Sequence, residues 1–179
     1  MDPIYTEENG RYRLDCTNAI WSTNEVHQYY QDSNHTCGKI GFLCDADFII
    51  ESDRYIIIVE YKNANIPGAA HPERFNPTGS DSLDKVARKF YDTLHWLYLA
   101  GKDKPKKYIY VLEYPTDNTT SRLLVRNKLK DRLPFALQQK LANSERKLID
   151  EVRVMSISEW NSDSELMHYP IRPVENAAT

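Results

Sequence analysis

Two apolar segments follow each other in this chain, Asp45-Ala46-Asp47-Phe48-Ile49-Ile50 and Tyr55-Ile56-Ile57-Ile58-Val59-Glu60-Tyr61-Lys62. The polar residues 51–54 between them predict that the two segments are strands of a hairpin. Buried strands rarely carry charged side chains unless these meet each other or a metal ion. The segments nevertheless carry four ionisable side chains near their outer ends, and these indicate a functional site: Asp45, Asp47, Glu60 and Lys62.

The geometry of the hairpin decides whether these four side chains meet. Residues two apart in a strand project from the same face, so Glu60 and Lys62 share one. A turn centred between residues 52 and 53 places Asp45 opposite Glu60, and all four charges then lie on one face. A loop of two or four residues keeps this arrangement, whereas three or five residues would move both aspartates to the other face. The alternative is an ion pair of Glu60 with Lys62 at a solvent-exposed edge.

The elements Ala46-Asp47-Phe48 and Glu60-Tyr61-Lys62 resemble the motif of the PD-(D/E)xK nuclease superfamily. The motif consists of an aspartate just before an apolar strand and a Glu-x-Lys at the end of the next strand. Alanine replaces the proline that gives the motif its name. The Gln-x-x-x-Tyr helix motif of RecB-like nucleases is absent after Lys62, so no subfamily is assigned.

This resemblance implies an α/β fold of the restriction-endonuclease-like type, a mixed β-sheet flanked by helices. It also implies that Asp47, Glu60 and the backbone carbonyl of Tyr61 bind Mg²⁺ or Mn²⁺, since hard cations prefer oxygen ligands. Lys62 would lie near the attacking water and the phosphate. Asp45 is a candidate auxiliary ligand. Some members of the superfamily place a glutamate on the first helix, which makes Glu25 a further candidate; a solvated helix residue is the alternative.

The pattern of apolar residues and of glycine and proline predicts the element order α-β-β-β-α-β-α-β in one domain over residues 1–179. The first strands should be antiparallel, and a strand–helix–strand crossover should follow the Glu-x-Lys strand. A helix cap is expected at Asp81 or Ser82. Outside the hairpin, the predicted elements are a helix over 17–31, a strand over 38–43, a long loop over 63–80, a helix over 83–99, a strand over 108–114, one or two helices over 122–142 interrupted at Pro134, and a strand over 151–157.

Composition narrows the class of protein. The chain has 179 residues, 41% of them hydrophobic, which is ordinary for a globular domain. Its longest apolar run, 55–59, is too short to cross a bilayer, and residues 1–10 lack a signal-peptide pattern. The three cysteines form no Cys-x-x-Cys motif. We therefore expect a cytoplasmic protein with reduced thiols and no membrane contact.

The net charge is −3, but basic residues concentrate in segment 102–147, which has a net positive charge between two acidic segments. This segment is a candidate surface for phosphates, through Arg126, Lys128 and Lys130. The predicted helix over 83–99 offers a second such surface with Lys85 and Lys89. Solvated helix faces are the alternative for both.

The sequence thus predicts a Mg²⁺- or Mn²⁺-dependent nuclease that hydrolyses phosphodiester bonds, with DNA as substrate and endonucleolytic action. Two alternatives remain open. One is a catalytically idle module of the same fold that binds nucleic acid or protein. The other is a nuclease subunit that depends on a separate recognition protein, and duplex cleavage by one such site would also suggest a homodimer. No phosphate-binding Gly-x-x-x-x-Gly-Lys loop and no common zinc-ligand spacing is present.

Overall fold

The computed structural model describes residues 3–31, 43–67, 72–141 and 147–174. Over these residues the chain is a mixed α/β structure with two β-sheets and five α-helices. Single turns of 3₁₀ helix lie at Pro72–Arg74 and Leu166–His168. In chain order the elements are β1 (Ile4–Thr6), β2 (Tyr12–Asp15), β3 (Trp21–Thr23), α1 (Val26–Gln31), β4 (Phe48–Glu51), β5 (Ile56–Asn63), α2 (Ser80–Leu99), β6 (Lys106–Glu113), α3 (Thr119–Lys130), α4 (Phe135–Lys140), β7 (Glu151–Met155), α5 (Ile157–Ser162) and β8 (Ile171–Pro173).

Strand β5 is the centre of a five-stranded sheet with the order β3-β4-β5-β6-β7. Its residues from Ile56 to Glu60 are all buried, which fits a run of β-branched side chains covered on both faces. Ile58 belongs to one apolar cluster with Phe90 of α2, whereas Ile57 belongs to another with Trp160 of α5. The sheet is therefore covered on one face by α1, α2 and α3, and on the other by α5 and a small second sheet.

The second sheet has the order β1-β2-β8 and both of its pairings are antiparallel. Its first turn is closed by the carboxylate of Glu7, which accepts hydrogen bonds from the backbone N–H groups of Asn9 at 2.8 Å and Arg11 at 2.6 Å. Gly10 adopts a φ of 68° in this turn, a conformation that favours glycine. The sequence analysis predicted neither β1 nor β2.

Two predicted features of the central sheet are confirmed. Strand β4 pairs with β5 in antiparallel fashion, and β5 continues through α2 into β6, which lies parallel to it.

Helix α2 spans the predicted 83–99 but begins earlier, at Ser80, and its N-cap is Gly79 with no side-chain hydrogen bond. The cap predicted at residues 81–82 is therefore wrong. Pro134 separates α3 from α4, as expected from its missing N–H group.

The predicted helix over 17–31 is wrong in its first half. Residues 21–23 form β3, which pairs antiparallel with β4, and the helix begins only at Val26. Aromatic and β-branched residues suit a strand here, and the Trp21 ring stacks on Trp96 of α2 with 5.9 Å between centroids. The order α-β-β-β-α-β-α-β is therefore wrong at its start, and α5 and β8 extend it at its end. Most of the strand predicted over 38–43 lies outside the described residues.

The register of the β4–β5 hairpin also differs from the prediction. The N–H of Ser52 donates to the carbonyl of Tyr55 at 2.9 Å, so the turn is centred between residues 53 and 54 and not between 52 and 53. Moving the centre by one residue moves each strand partner by two, which preserves the face of every side chain. Asp47, and not Asp45, is consequently the residue opposite Glu60 when the register of the ladder is continued.

No helix in the part of the chain that the structure describes is long and apolar enough to span a bilayer.

Candidate functional site

The candidate site lies where β4 begins and β5 approaches its end. Asp47 directly precedes β4, and Glu60 lies in β5 with only 7% of its surface exposed. Both share a strand face with residues that pack against α2, namely Ile49 and Ile58. The hairpin therefore directs both carboxylates beneath helix α2.

Helix α2 supplies the cation that meets them. The Lys89 ammonium donates to Glu60 Oε1 at 2.8 Å and to Asp47 Oδ1 at 3.2 Å. Lys89 lies three residues after Val86 and four before Thr93, both buried, so it belongs to the helix face that packs on the sheet. Its side chain is only 16% exposed, and a single lysine thus links the two strands.

The same helix fixes the backbone that leads to Asp47. Thr93 Oγ1 accepts the N–H of Ala46 at 2.9 Å, and Asp92 Oδ2 accepts the N–H of Cys44 at 2.9 Å. Residues 43–46 precede β4 and form no strand ladder of their own. Helix α2 therefore takes the place of a neighbouring strand for these N–H groups and sets the position of the aspartate.

The electrostatics of the cluster favour additional positive charge. Burial and the neighbouring Asp47 raise the pKa of Glu60 to about 8, despite the lowering effect of Lys89. Burial likewise raises the pKa of Asp47. Burial alone would lower the pKa of Lys89, but the two carboxylates outweigh it and raise that pKa. The lysine therefore keeps its proton, and a further cation beside the carboxyl groups would lower the pKa of both.

One carboxylate oxygen of the cluster has no partner. Asp47 Oδ2 accepts the N–H of Tyr61 at 2.7 Å, whereas Glu60 Oε2 is buried and accepts no hydrogen bond from any described residue. A buried, unpaired carboxylate oxygen is costly, and native structures rarely keep one without a role. This oxygen is a suitable ligand for a hard cation such as Mg²⁺.

A cleft of about 450 Å³ opens beside the cluster. Its acidic lining includes Asp47, Asp45 and Glu8, and Glu8 comes from the turn between β1 and β2. Its basic lining includes His27 of α1 and three lysines that come from β5 and α2: Lys62, Lys85 and Lys89. Carboxylates and lysines thus line one polar cleft, the arrangement needed to hold a cation beside an anionic substrate.

The structure brings only some of the predicted ligands together. Asp45 lines the cleft, where burial raises the pKa of its carboxyl. Glu25 is exposed at the start of α1 and does not line the cleft. Among the described residues, no three His, Cys, Asp or Glu side chains are close enough to hold a metal ion. The carbonyl of Tyr61 is the remaining candidate ligand from the sequence, and it faces the same side of the strand as the Tyr61 N–H, which donates to Asp47.

The two candidate lysines occupy different environments. Lys62 is exposed at the cleft and makes no hydrogen bond or ion pair with any residue that the structure describes. Lys89, which the sequence analysis assigned to nucleic-acid binding, is the lysine that contacts both carboxylates. The residues predicted to contact phosphates also lie in two places. Lys85 lines the cleft, whereas the basic residues of α3 do not: Arg126, Lys128 and Lys130.

Three features of the site were missed by the sequence analysis. Glu8 reaches the cleft through the long-range packing of the β1–β2 turn, for which the sequence holds no local signal. Asp92 and Thr93 did leave a signal, since two polar residues adjoin the apolar stripe of a predicted helix. The third feature is the contact of Lys89 with both carboxylates. Its signal in the sequence was the position of Lys89 on the helix face between Val86 and Thr93, which are both buried.

Comparison with models of protein families, with curated proteins and with solved structures finds no match for this chain. Its function must therefore be inferred from the residues of the cleft.

We predict that Lys89→Met lowers the free energy of unfolding by about 3 kcal/mol in EDTA, because it leaves two buried carboxylates without a cation. Lys62→Met is the matched control and should change that free energy by less than about 0.5 kcal/mol. Urea denaturation measures both.

The cost of Lys89→Met should be smaller at pH 5 than at pH 8. The folded-state pKa of Glu60, about 8, lies above the value in the unfolded chain, so stability falls as pH rises between the two. A protonated Glu60 tolerates burial without the lysine. Equal stability of Lys89→Met and Lys62→Met at pH 8 would contradict the ion cluster.

Proposed function

We propose that this protein is a metal-dependent nuclease that hydrolyses phosphodiester bonds within DNA. The single observation that carries the proposal is the pairing of Asp47 and Glu60 across two adjacent strands, next to a cleft lined by lysines. The unpartnered Glu60 Oε2 supports it, because the site has an oxygen to offer to a cation. The resemblance of the hairpin to the PD-(D/E)xK motif points to the same chemistry.

Each residue of the site has a role in this proposal. Asp47, Glu60 and the Tyr61 carbonyl would hold Mg²⁺ or Mn²⁺, and Asp45 lies in the same cleft as an auxiliary carboxylate. Such a metal ion activates water and offsets the charge that develops on the phosphate. Lys62 is exposed in the cleft and engaged by no described residue, so its ammonium is available to the phosphate.

The helices beside the cleft provide a route for the rest of the substrate. Lys85 lies one turn before Lys89 and is exposed in the cleft. Arg132 donates to Asp84 Oδ1 at 2.5 Å and to Ser80 Oγ at 3.2 Å, which anchors the end of α3 to the first turns of α2. The carbonyl of Lys128 accepts from the same arginine at 3.0 Å. The basic residues of α3 therefore lie next to the helix that borders the cleft, and phosphates leaving the cleft could follow them.

A second candidate function has one observation in its favour. Lys89 already neutralises part of the charge on Asp47 and Glu60, so the cluster could be a structural ion pair that requires no metal. The chain would then be an idle module of the same architecture that binds nucleic acid or protein. Metal binding and cleavage distinguish the two functions.

We predict Mn²⁺- or Mg²⁺-dependent cleavage when the protein is assayed on single-stranded, duplex and branched DNA, with RNA as a comparison. Asp47→Asn and Glu60→Gln should each lower the rate by at least about 100-fold, and Lys62→Met should also lower it, because each removes a group that stabilises charge in the transition state. Ca²⁺ should support binding of DNA without cleavage.

Glu51→Gln is the matched control for this assay. Glu51 is also a buried carboxylate with lysine partners, at 2.6 Å from Lys102 and 2.8 Å from Lys104, but it does not line the cleft. It should keep near-wild-type cleavage. If the protein binds DNA but does not cleave it with any metal ion, and also fails to bind Mn²⁺, the chain is instead an idle binding module.

We predict that Lys85→Glu weakens DNA binding for all sequences and reduces the slope of log Kd against log salt by about 1. Combined reversal of Arg126, Lys128 and Lys130 should reduce affinity and slope as well, while saturating protein restores much of the cleavage rate. Lys140→Glu on α4 is the control for net charge, since Lys140 is exposed outside the cleft. If only Lys85→Glu has an effect, the substrate does not extend to α3.

A further inference from the structure

The position of Lys89 has a consequence for how a metal ion enters the site. Its ammonium lies between the two carboxylates and takes one oxygen from each, Glu60 Oε1 and Asp47 Oδ1. A third oxygen, Asp47 Oδ2, accepts the Tyr61 N–H. Of the four carboxylate oxygens in this pair, Glu60 Oε2 alone has no hydrogen-bond partner among the described residues. The carboxylate pair is therefore largely occupied by the protein's own cation.

A divalent cation held by Asp47 and Glu60 would compete with this ammonium. Mg²⁺ bonds carboxylate oxygens at about 2.0–2.1 Å and accepts little distortion of its geometry. Lys89 holds oxygens of the same two groups at 2.8 Å and 3.2 Å. Like charges repel strongly at such separations in a poorly hydrated site. We therefore expect the lysine to lose at least one of its two contacts when a metal ion binds both carboxylates.

The displaced ammonium has a place to go. Lys89 itself lines the cleft of about 450 Å³, beside Lys62 and Lys85. A lysine side chain has a flexible four-carbon stem, so its head can move while its backbone stays in α2. In the cleft the ammonium would lie beside the two other lysines. A bound phosphate would offset the repulsion between these three positive charges.

We propose that Lys89 is an internal counter-ion that occupies the carboxylate pair in the metal-free protein and moves into the cleft when a divalent cation binds. This inference rests on the metal site proposed above and adds its regulation. Lys89 lowers the affinity of the metal-free site for cations. By linkage, a phosphate that attracts the displaced ammonium raises the affinity for metal, and the metal raises the affinity for phosphate by the same factor.

Calorimetry with Mn²⁺ alone, without nucleic acid, tests the competition directly. Lys89→Met should bind Mn²⁺ at least tenfold more tightly than wild type, because its carboxylates have no internal cation to displace. Lys140→Met removes a lysine that lies exposed outside the cleft, and it should change the affinity by less than about threefold. Mn²⁺ binding by Lys89→Met that is no tighter than that of wild type overturns the proposal.

A second measurement keeps the test valid if Lys89→Met does not fold, since it uses the wild-type protein. Amine acetylation followed by mass spectrometry should show that saturating Mg²⁺ increases the modification rate of Lys89, while that of Lys62 does not increase. An unchanged or lower rate at Lys89, in protein that demonstrably binds Mg²⁺, overturns the inference but leaves the metal site intact. Absence of Mn²⁺ and Mg²⁺ binding in wild type and in Lys89→Met overturns both the inference and the proposed nuclease.

Discussion

The contact of one lysine with two carboxylates is the constraint on which the candidate site depends. Lys89 joins helix α2 to both strands of the hairpin, because its ammonium lies 2.8 Å from Glu60 Oε1 and 3.2 Å from Asp47 Oδ1. Burial raises the pKa of both carboxyl groups, and the ammonium of Lys89 opposes that rise. The central sheet provides the rigid frame, since β5 is buried from Ile56 to Glu60 and can carry a charged residue there only where a partner reaches it.

Helix α2 is accordingly more than a cover for the sheet. Its apolar stripe packs on the core, while Asp92 and Thr93 hold the backbone before Asp47 and Lys89 holds the side chain. These contacts fix the hairpin, the helix and the segment before β4 relative to one another at the cleft. A site built in this way is preorganised, which is a requirement for binding a metal ion and for electrostatic stabilisation of a transition state.

The sequence predicted the parts of this arrangement that depend on local patterns. The apolar runs around Ile49 and Ile57 indicated the hairpin, and a turn of two or four residues was predicted to place Asp47 and Glu60 on one face. The helical period of residues 83–99 likewise indicated α2. These signals are local because strand alternation and helical spacing follow directly from backbone geometry.

What the sequence could not provide was set by contacts between distant segments. The register depended on the hydrogen bonds of Ser52 in the turn, and a shift of one residue in its centre exchanged Asp45 for Asp47 opposite Glu60. Strand β3 depended on pairing with β4 and on the stacking of Trp21 with Trp96. The motif singled out Lys62 by its spacing, whereas the contact with Lys89 joins two residues that lie 29 positions apart in the sequence. Such contacts are absent from any short pattern.

The most direct test of the cation site is a crystal structure of the protein soaked in Mn²⁺, with anomalous scattering used to locate the metal. We predict a manganese peak within bonding distance of oxygens of both Asp47 and Glu60, with the Lys89 ammonium withdrawn into the cleft. A map without a peak at these carboxylates, in which Lys89 still bridges them at saturating Mn²⁺, would contradict this prediction.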